Sequence, residues 1–155
     1  MPLAPSSCAS EEARAELKGR TAIDLFPRAF SAEGALAGLY LYFSCLDEAH
    51  SIAQEIHTAE GSFWHGIMHR QEPDPDNAKY WFGRVDSHPV FPALRASARE
   101  LGFDKGSQWD AYAFVDYCES ARRRPGSKEE EVALRVQLAE WQLLFDYCAR
   151  EKASH

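Results

Sequence analysis

Two histidines four residues apart on a helix can share a ligand, and His65 and His69 form such a pair. One helical turn puts them about 6 Å apart in rise and roughly 40° apart in azimuth, so both imidazoles can converge on one metal ion. If the chain turns back at Gly61, His57 and His65 lie at similar distances either side of the turn, and three histidines approach one point. Glu60 or Asp47 could supplement them with a carboxylate. The set His57, His65 and His69 suits a divalent metal such as zinc, iron or manganese. The same spacing also arises from histidines that are simply hydrogen-bonded beneath aromatic side chains, and no glutamate lies inside the motif to act as a base. Without metal, His65 or His69 could serve as a general acid or base. A polar line, Asp47, His50, Gln54 and His57, spaced three, four and three, runs along the preceding helix. It is either the solvent side of an amphipathic helix or one wall of a cavity.

A second group follows in Asn77-Ala-Lys-Tyr-Trp-Phe-Gly-Arg-Val-Asp-Ser-His-Pro. Consecutive helical residues point about 100° apart, so Tyr80, Trp81 and Phe82 cannot all face one core. At least one should line a pocket, groove or interface. Lys79 and Arg84 bracket the aromatics, and Trp64, Arg70 and His88 add a stacking face and further cationic or protonatable groups. The mixture suits an anionic or planar small molecule, held by bidentate arginine and a stacking ring. The alternative is that Lys79 and Arg84 are surface residues paired with Asp76 and Asp86.

The words Phe63-Trp-His-Gly-Ile-Met-His-Arg70, Asn77-Ala-Lys-Tyr-Trp-Phe82 and His88-Pro-Val-Phe91 resemble those of a family of small, uncharacterised bacterial and fungal proteins. The resemblance covers about a fifth of the chain. It implies that Glu60 to Pro92 is one recognisable unit, and it brings no activity, cofactor or catalytic residue with it.

The elements that must position these groups are helical throughout. Ser10-Glu-Glu-Ala starts a short helix that ends near Gly19, and Ala22 to Phe26 is a short apolar segment stopped by Pro27, both within a lead-in over residues 1–30. From residue 31 to 155 the signals are those of a helical bundle domain. Ser31 caps a helix to about Ser44, apolar nearly all round, in which Gly34 and Gly38 would let another helix approach closely. Asp47 caps a helix through about His57. Gly61 is the natural break, with Ser62 or Thr58 the restart. Glu72-Pro-Asp-Pro-Asp reads as a loop, and Asn77 or Asp76 caps a helix through Arg84. His88-Pro89 opens a helix stopped by Gly102, Ser107-x-x-Asp110 one to Arg123, and the Ser127-x-x-Glu130 capping box one to about Lys152. In the last, Leu134, Leu138, Trp141, Phe145 and Cys148 read as an inward seam. The expectation is an all-α, single-domain compact bundle of about six to seven helices.

A chain of 155 residues can bury a core without metal or disulfide staples. A net charge of −7 opposes nucleic acid and anionic membranes, and the only basic run, Arg122-Arg123-Arg124, sits at a helix end. Cys8, Cys45, Cys118 and Cys148 lack metal-type spacing and read as reduced thiols of a cytoplasmic protein. No basic region precedes an apolar run at the N-terminus, so no signal peptide is expected. The most apolar segment, Gly34 to Leu46, is too short to span a bilayer. No nucleotide loop, dinucleotide glycine pattern or nucleophile elbow appears. The sequence therefore points to a small-molecule-binding protein or enzyme acting on an anionic ligand. The other reading is a non-catalytic module in which the aromatic run docks a partner or a second copy of the chain.

Overall fold

The computed structural model describes residues 1–153, which form nine α-helices joined by short connections, with no strand among them. They are α1 (Glu11–Lys18), α2 (Ala22–Leu25), α3 (Ala32–Tyr42), α4 (Leu46–Ala53), α5 (Ala59–Gln71), α6 (Pro75–Val85), α7 (Phe91–Leu101), α8 (Ala111–Ala121) and α9 (Lys128–Ala149). The all-α bundle is as expected, and the count exceeds six or seven because, beside seven helices after residue 30, the lead-in's short helix and its apolar segment are both helical, as α1 and α2. Each has its own cap. Ser10 Oγ accepts from the Ala13 amide, and Thr21 and Asp24 form a reciprocal capping box.

The lead-in is also packed more firmly than its composition suggests. Leu3, Leu17, Ala22 and Ala29 join the hydrophobic core. The side-chain amides of Gln71 and Gln137 donate to the Pro2 carbonyl, and the Phe30 amide donates to the Arg150 carbonyl at 2.7 Å. Cys8 is bonded to Cys45 as a disulfide, with Cα atoms 4.3 Å apart. The expectation of four reduced thiols is therefore corrected: Cys118 and Cys148 alone are free, both buried, and burial pushes each up to about 12. Spacing along the chain carried no sign of a pair 37 residues apart brought together by the fold.

The core is built on α3 and α5. In α3, Ala35, Leu36, Ala37 and Leu41 are buried on several sides. A Cβ on Gly34 would come within 2.8 Å of the Cys148 sulfur, and one on Gly38 within 2.8 Å of the Trp64 ring, so both glycines permit close helix approach. Trp141 Nε1 donates to the Gly38 carbonyl at 2.8 Å and fixes α9 across α3. Eleven of the 13 residues of α5 are buried, including Glu60, His65, His69, Arg70 and Gln71. A helix this polar can be central only where its partners answer each charge.

The answer to Arg70 explains why the seam of α9 differs from the expected one. Leu138 is 44% exposed, whereas Gln137 and Glu140 are fully buried. Arg70 donates to both Glu140 oxygens, at 2.5 and 3.1 Å, and to Gln137 Oε1 at 3.2 Å, while its guanidinium lies 4.7 Å from the Phe114 ring centroid. The buried face of α9 turns to present these two polar side chains. No helix among the described residues is long and apolar enough to cross a membrane.

Candidate functional site

Three helices enclose the histidines. The Leu46–Ala53 helix α4 has Cys45 at its cap position, with the expected cap Asp47 inside its first turn, and it ends at Ala53, which leaves His57 exposed in the connection to α5. Helix α5 starts after Thr58 and runs through Gly61, so that glycine does not break the helix. A Cβ there would overlap the Ile56 carbonyl, so Gly61 instead lets the α4–α5 connection fold tightly onto the new helix. Only residues 72–74 separate α5 from α6. Asp74 caps α6 by accepting from the Asn77 amide, and Pro75 occupies its first turn, where the missing N–H costs nothing. Gly66 faces the Phe82 ring, where a Cβ would lie 2.7 Å away, and the two helices pack closely along this line.

That packing lays the Trp81 indole on the His65 imidazole, centroids 4.1 Å apart and planes 15° from parallel. His65 and His69 are nearly parallel at 6.1 Å. His50, from α4, meets both edge-on at 4.9 and 5.9 Å. Hydrogen bonds fix the tautomers of the α5 pair. His65 Nδ1–H donates to the Gly61 carbonyl at 3.0 Å, an atom that can only accept, so in the neutral ring Nε2 holds a lone pair. His69 Nδ1–H donates to Glu72 Oε2 at 3.1 Å, with the Asn77 amide nitrogen 3.4 Å from the same ring. Burial is the chief cause that lowers the His65 pKa below 6.5; His50 and His69 press the same way and the Gly61 hydrogen bond opposes them. Near neutral pH, His65 is thus an uncharged base with a free Nε2.

Above these rings lies a cleft of about 340 Å³ lined by His50, Gln54, His57, Ser62, His65, Trp81 and Arg84, with Ala53 and Ile56 as its apolar wall. It contains no carboxylate. Each of four other surface clefts carries at least one Asp or Glu, one of them adjoining this site through His50, His69, Asp47 and Glu72. The Arg84 guanidinium stands 5.6 Å from the Trp81 ring and 5.9 Å from the Tyr80 ring.

The structure gathers some of the expected residues and disperses others. Trp81, Arg84, His57 and His65 line the cleft, and His69 borders it. Tyr80 points outward, 56% exposed. Trp64 is fully buried in the core and offers no stacking face. Arg70 is sealed in its pair with Glu140, and Lys79 is tied to Asp116 at 2.7 Å on α8, so neither is available to a ligand in the cleft. His88 is buried elsewhere, its Nε2–H donating to Glu60 Oε2 at 3.3 Å while Nδ1 accepts from the Val90 amide. In the trio, His50 takes the place expected of His57, because α4 ends one turn early. As the side chains stand, no group of three or more His, Cys, Asp or Glu among the described residues could hold a metal ion.

Of the two residues that orient His69, Glu72 read in the sequence only as the start of a loop and Asn77 only as a helix cap and the start of a motif word. Comparison with protein-family models, with curated proteins and with solved structures finds no match to this chain.

Proposed function

We propose that this chain binds an anionic small molecule in the cleft between α4, α5 and α6, with Arg84 as the anchoring charge. The observation that carries the reading is the composition of the cleft. In a protein of net charge −7, one guanidinium and three imidazoles share a concave site with no carboxylate. The positive potential there comes from Arg84, since His65 is uncharged near neutral pH, and no carboxylate in the cleft cancels it. Arg84 is exposed and has no ion pair among the described residues, its one hydrogen bond going to the Tyr80 hydroxyl at 3.4 Å, so its charge is free for a phosphate or carboxylate. If the bound molecule reacts, Nε2 of His65 is the group able to take a proton from it. Trp81 already stacks on His65, so it serves the cleft as a wall that holds the imidazole in place.

A divalent metal is not part of this reading, since His57 stands apart from the trio and the rings do not close on a common point. The Cys8–Cys45 disulfide weighs against a cytoplasmic home, since such bonds persist mainly in oxidising compartments, and the two buried free thiols fit either setting.

The test is thermal unfolding of the purified protein with inorganic phosphate, citrate and sulfate. The reading requires at least one of them to raise the melting temperature of the wild type and to leave Arg84→Ala unmoved. Equal stabilisation of both proteins, or none of either, overturns it.

A second reading draws on Tyr80 and Tyr112, exposed on the paired helices α6 and α8. They would serve self-association, and a monomeric mass in solution at high concentration removes that reading.

A further inference from the structure

We infer that the anion held between α4, α5 and α6 is one that brings its own hydrogen-bond donor, either the P–OH of a phosphate or a hydroxyl beside a carboxylate. The inference rests on the reading that Arg84 anchors an anion there, and it names the kind of anion.

The argument is a count of donors and acceptors around the cleft. Its polar lining is His50, Gln54, His57, Ser62, His65 and Arg84. A serine hydroxyl and a glutamine amide can turn to donate or to accept. The hydrogen-bonded imidazoles among the described residues are those of His65, His69 and His88, so His50 and His57 are free to present either kind of nitrogen. These four groups adapt to any ligand and select none. Two groups do not adapt. Arg84 can only donate. His65 has its Nδ1–H committed to the Gly61 carbonyl at 3.0 Å, so Nε2 of the neutral ring can only accept.

Nε2 of His65 is within a ligand's reach. It has no partner of its own, yet it is not among the unpaired nitrogens sealed from solvent, which are Arg14 Nε, Trp64 Nε1, Arg70 Nε and Trp109 Nε1. It therefore keeps accessible surface, and of the described clefts His65 lines this one alone. His65 and Arg84 also flank the same ring, Trp81, at 4.1 and 5.6 Å from its centroid.

The surroundings keep that nitrogen a lone pair. The His50 and His69 rings stand 4.9 and 6.1 Å away, Arg84 is fully charged, and no carboxylate lines the cleft to compensate an imidazolium. An anion made only of acceptors, such as sulfate, must set an oxygen against the lone pair. An anion with an O–H gives its charge to Arg84 and its hydrogen to His65.

The test uses two pairs of anions that match in charge and differ in the donor, measured by titration calorimetry at about pH 8, where a histidine is neutral. Phosphate keeps one proton there and sulfate none; citrate has a hydroxyl that tricarballylate lacks. The first pair places the donor on the oxyanion itself, the second on the carbon beside it. In at least one pair the donor-bearing member should bind the wild type roughly tenfold or more tightly, the cost of leaving a buried acceptor unanswered. His65→Gln, whose amide can donate to an oxygen, should bring that ratio close to one by tightening the binding of the donor-free member. Loss of fit alone would weaken both members. Equal affinities within both pairs, abolished in Arg84→Ala, overturn the inference and leave the anion site standing, with no variant at residue 65 needed. A preference that persists unchanged in His65→Gln overturns it as well. Absence of binding by all four anions removes the inference together with the reading on which it rests.

Discussion

The indole of Trp81 lies flat on the imidazole of His65, 4.1 Å between centroids, and it does so because Gly66 lets the Phe82 ring of α6 settle directly on α5. One helix contact thus buries a histidine, stacks it and leaves one of its nitrogens without a partner. Burial, tautomer and position follow from the same packing.

The first consequence concerns pH. His65 has its pKa lowered chiefly by burial, with His50 of α4 and His69 of α5 adding to the effect and Arg84 of α6 nearby across the cleft. A histidine with a lower value in the folded state binds fewer protons there than when unfolded. Its contribution is therefore complete above about pH 6.5 and is lost as the pH falls from that value through the folded one. Denaturation between pH 7.5 and 5 should show the wild type losing more stability than His65→Gln. Superimposable pH profiles would remove the buried neutral His65 from the argument.

The second consequence separates two histidines that the sequence places on one line. His50 packs edge-on against His65 and His69, whereas His57 is exposed beyond the end of α4. His50→Ala should weaken anion-induced stabilisation and shift the pH profile of the cluster. His57→Ala should leave unliganded stability within about 0.5 kcal/mol, as surface substitutions do. A larger loss of unliganded stability from His57→Ala than from His50→Ala would reverse the assignment.

A third prediction isolates structure from function. Arg70 and Glu140 form a buried pair with side chains 1% and 0% exposed. Arg70→Met leaves the Glu140 carboxylate buried and unanswered, at a cost of about 3–5 kcal/mol. Replacing both, Arg70→Met with Glu140→Leu, should recover much of that loss. Urea titration of the two variants checks it. If Arg70 instead served the ligand, the double variant would be stable but blind to anions.

These residues also show what the sequence could and could not disclose. Helix type was legible from caps and periodicity: Ser31 and Ser127 each cap where their spacing indicates, and Gly102 ends α7 at φ 112°, whereas α8 is capped by Asp110 and not by the expected Ser107. Gly61 misled because a glycine required for close approach looks the same as one that ends a helix. With that break removed, Glu60 moves inside α5 and the register of the cluster moves with it. Arg70 looked like a ligand residue because its partners lie 67 and 70 residues away on a helix whose apolar positions suggested a different face. Glu72 and Asn77 sit in a Pro-rich turn and at a helix start, where polar residues are ordinary, so their approach to His69 was visible only in three dimensions.

Gly66 offers the strictest check on the link between packing and site. A Cβ there would stand 2.7–2.8 Å from three carbons of the Phe82 ring, and Phe82 is itself buried, so the ring has little room to retreat. Gly66→Ala should therefore cost about 1–3 kcal/mol as an overpacked contact, even though alanine favours helix. The strain must push α6 away from α5, and Trp81 leaves His65 as it does. The variant should then show a His65 titration closer to its ordinary value, measured by the pH dependence of the imidazole NMR signals, together with weaker anion stabilisation. Phe82→Leu combined with Gly66→Ala should relieve the contact and restore both in part. Loss of stability with an unaltered His65 titration would mean that the stack does not depend on the α5–α6 spacing.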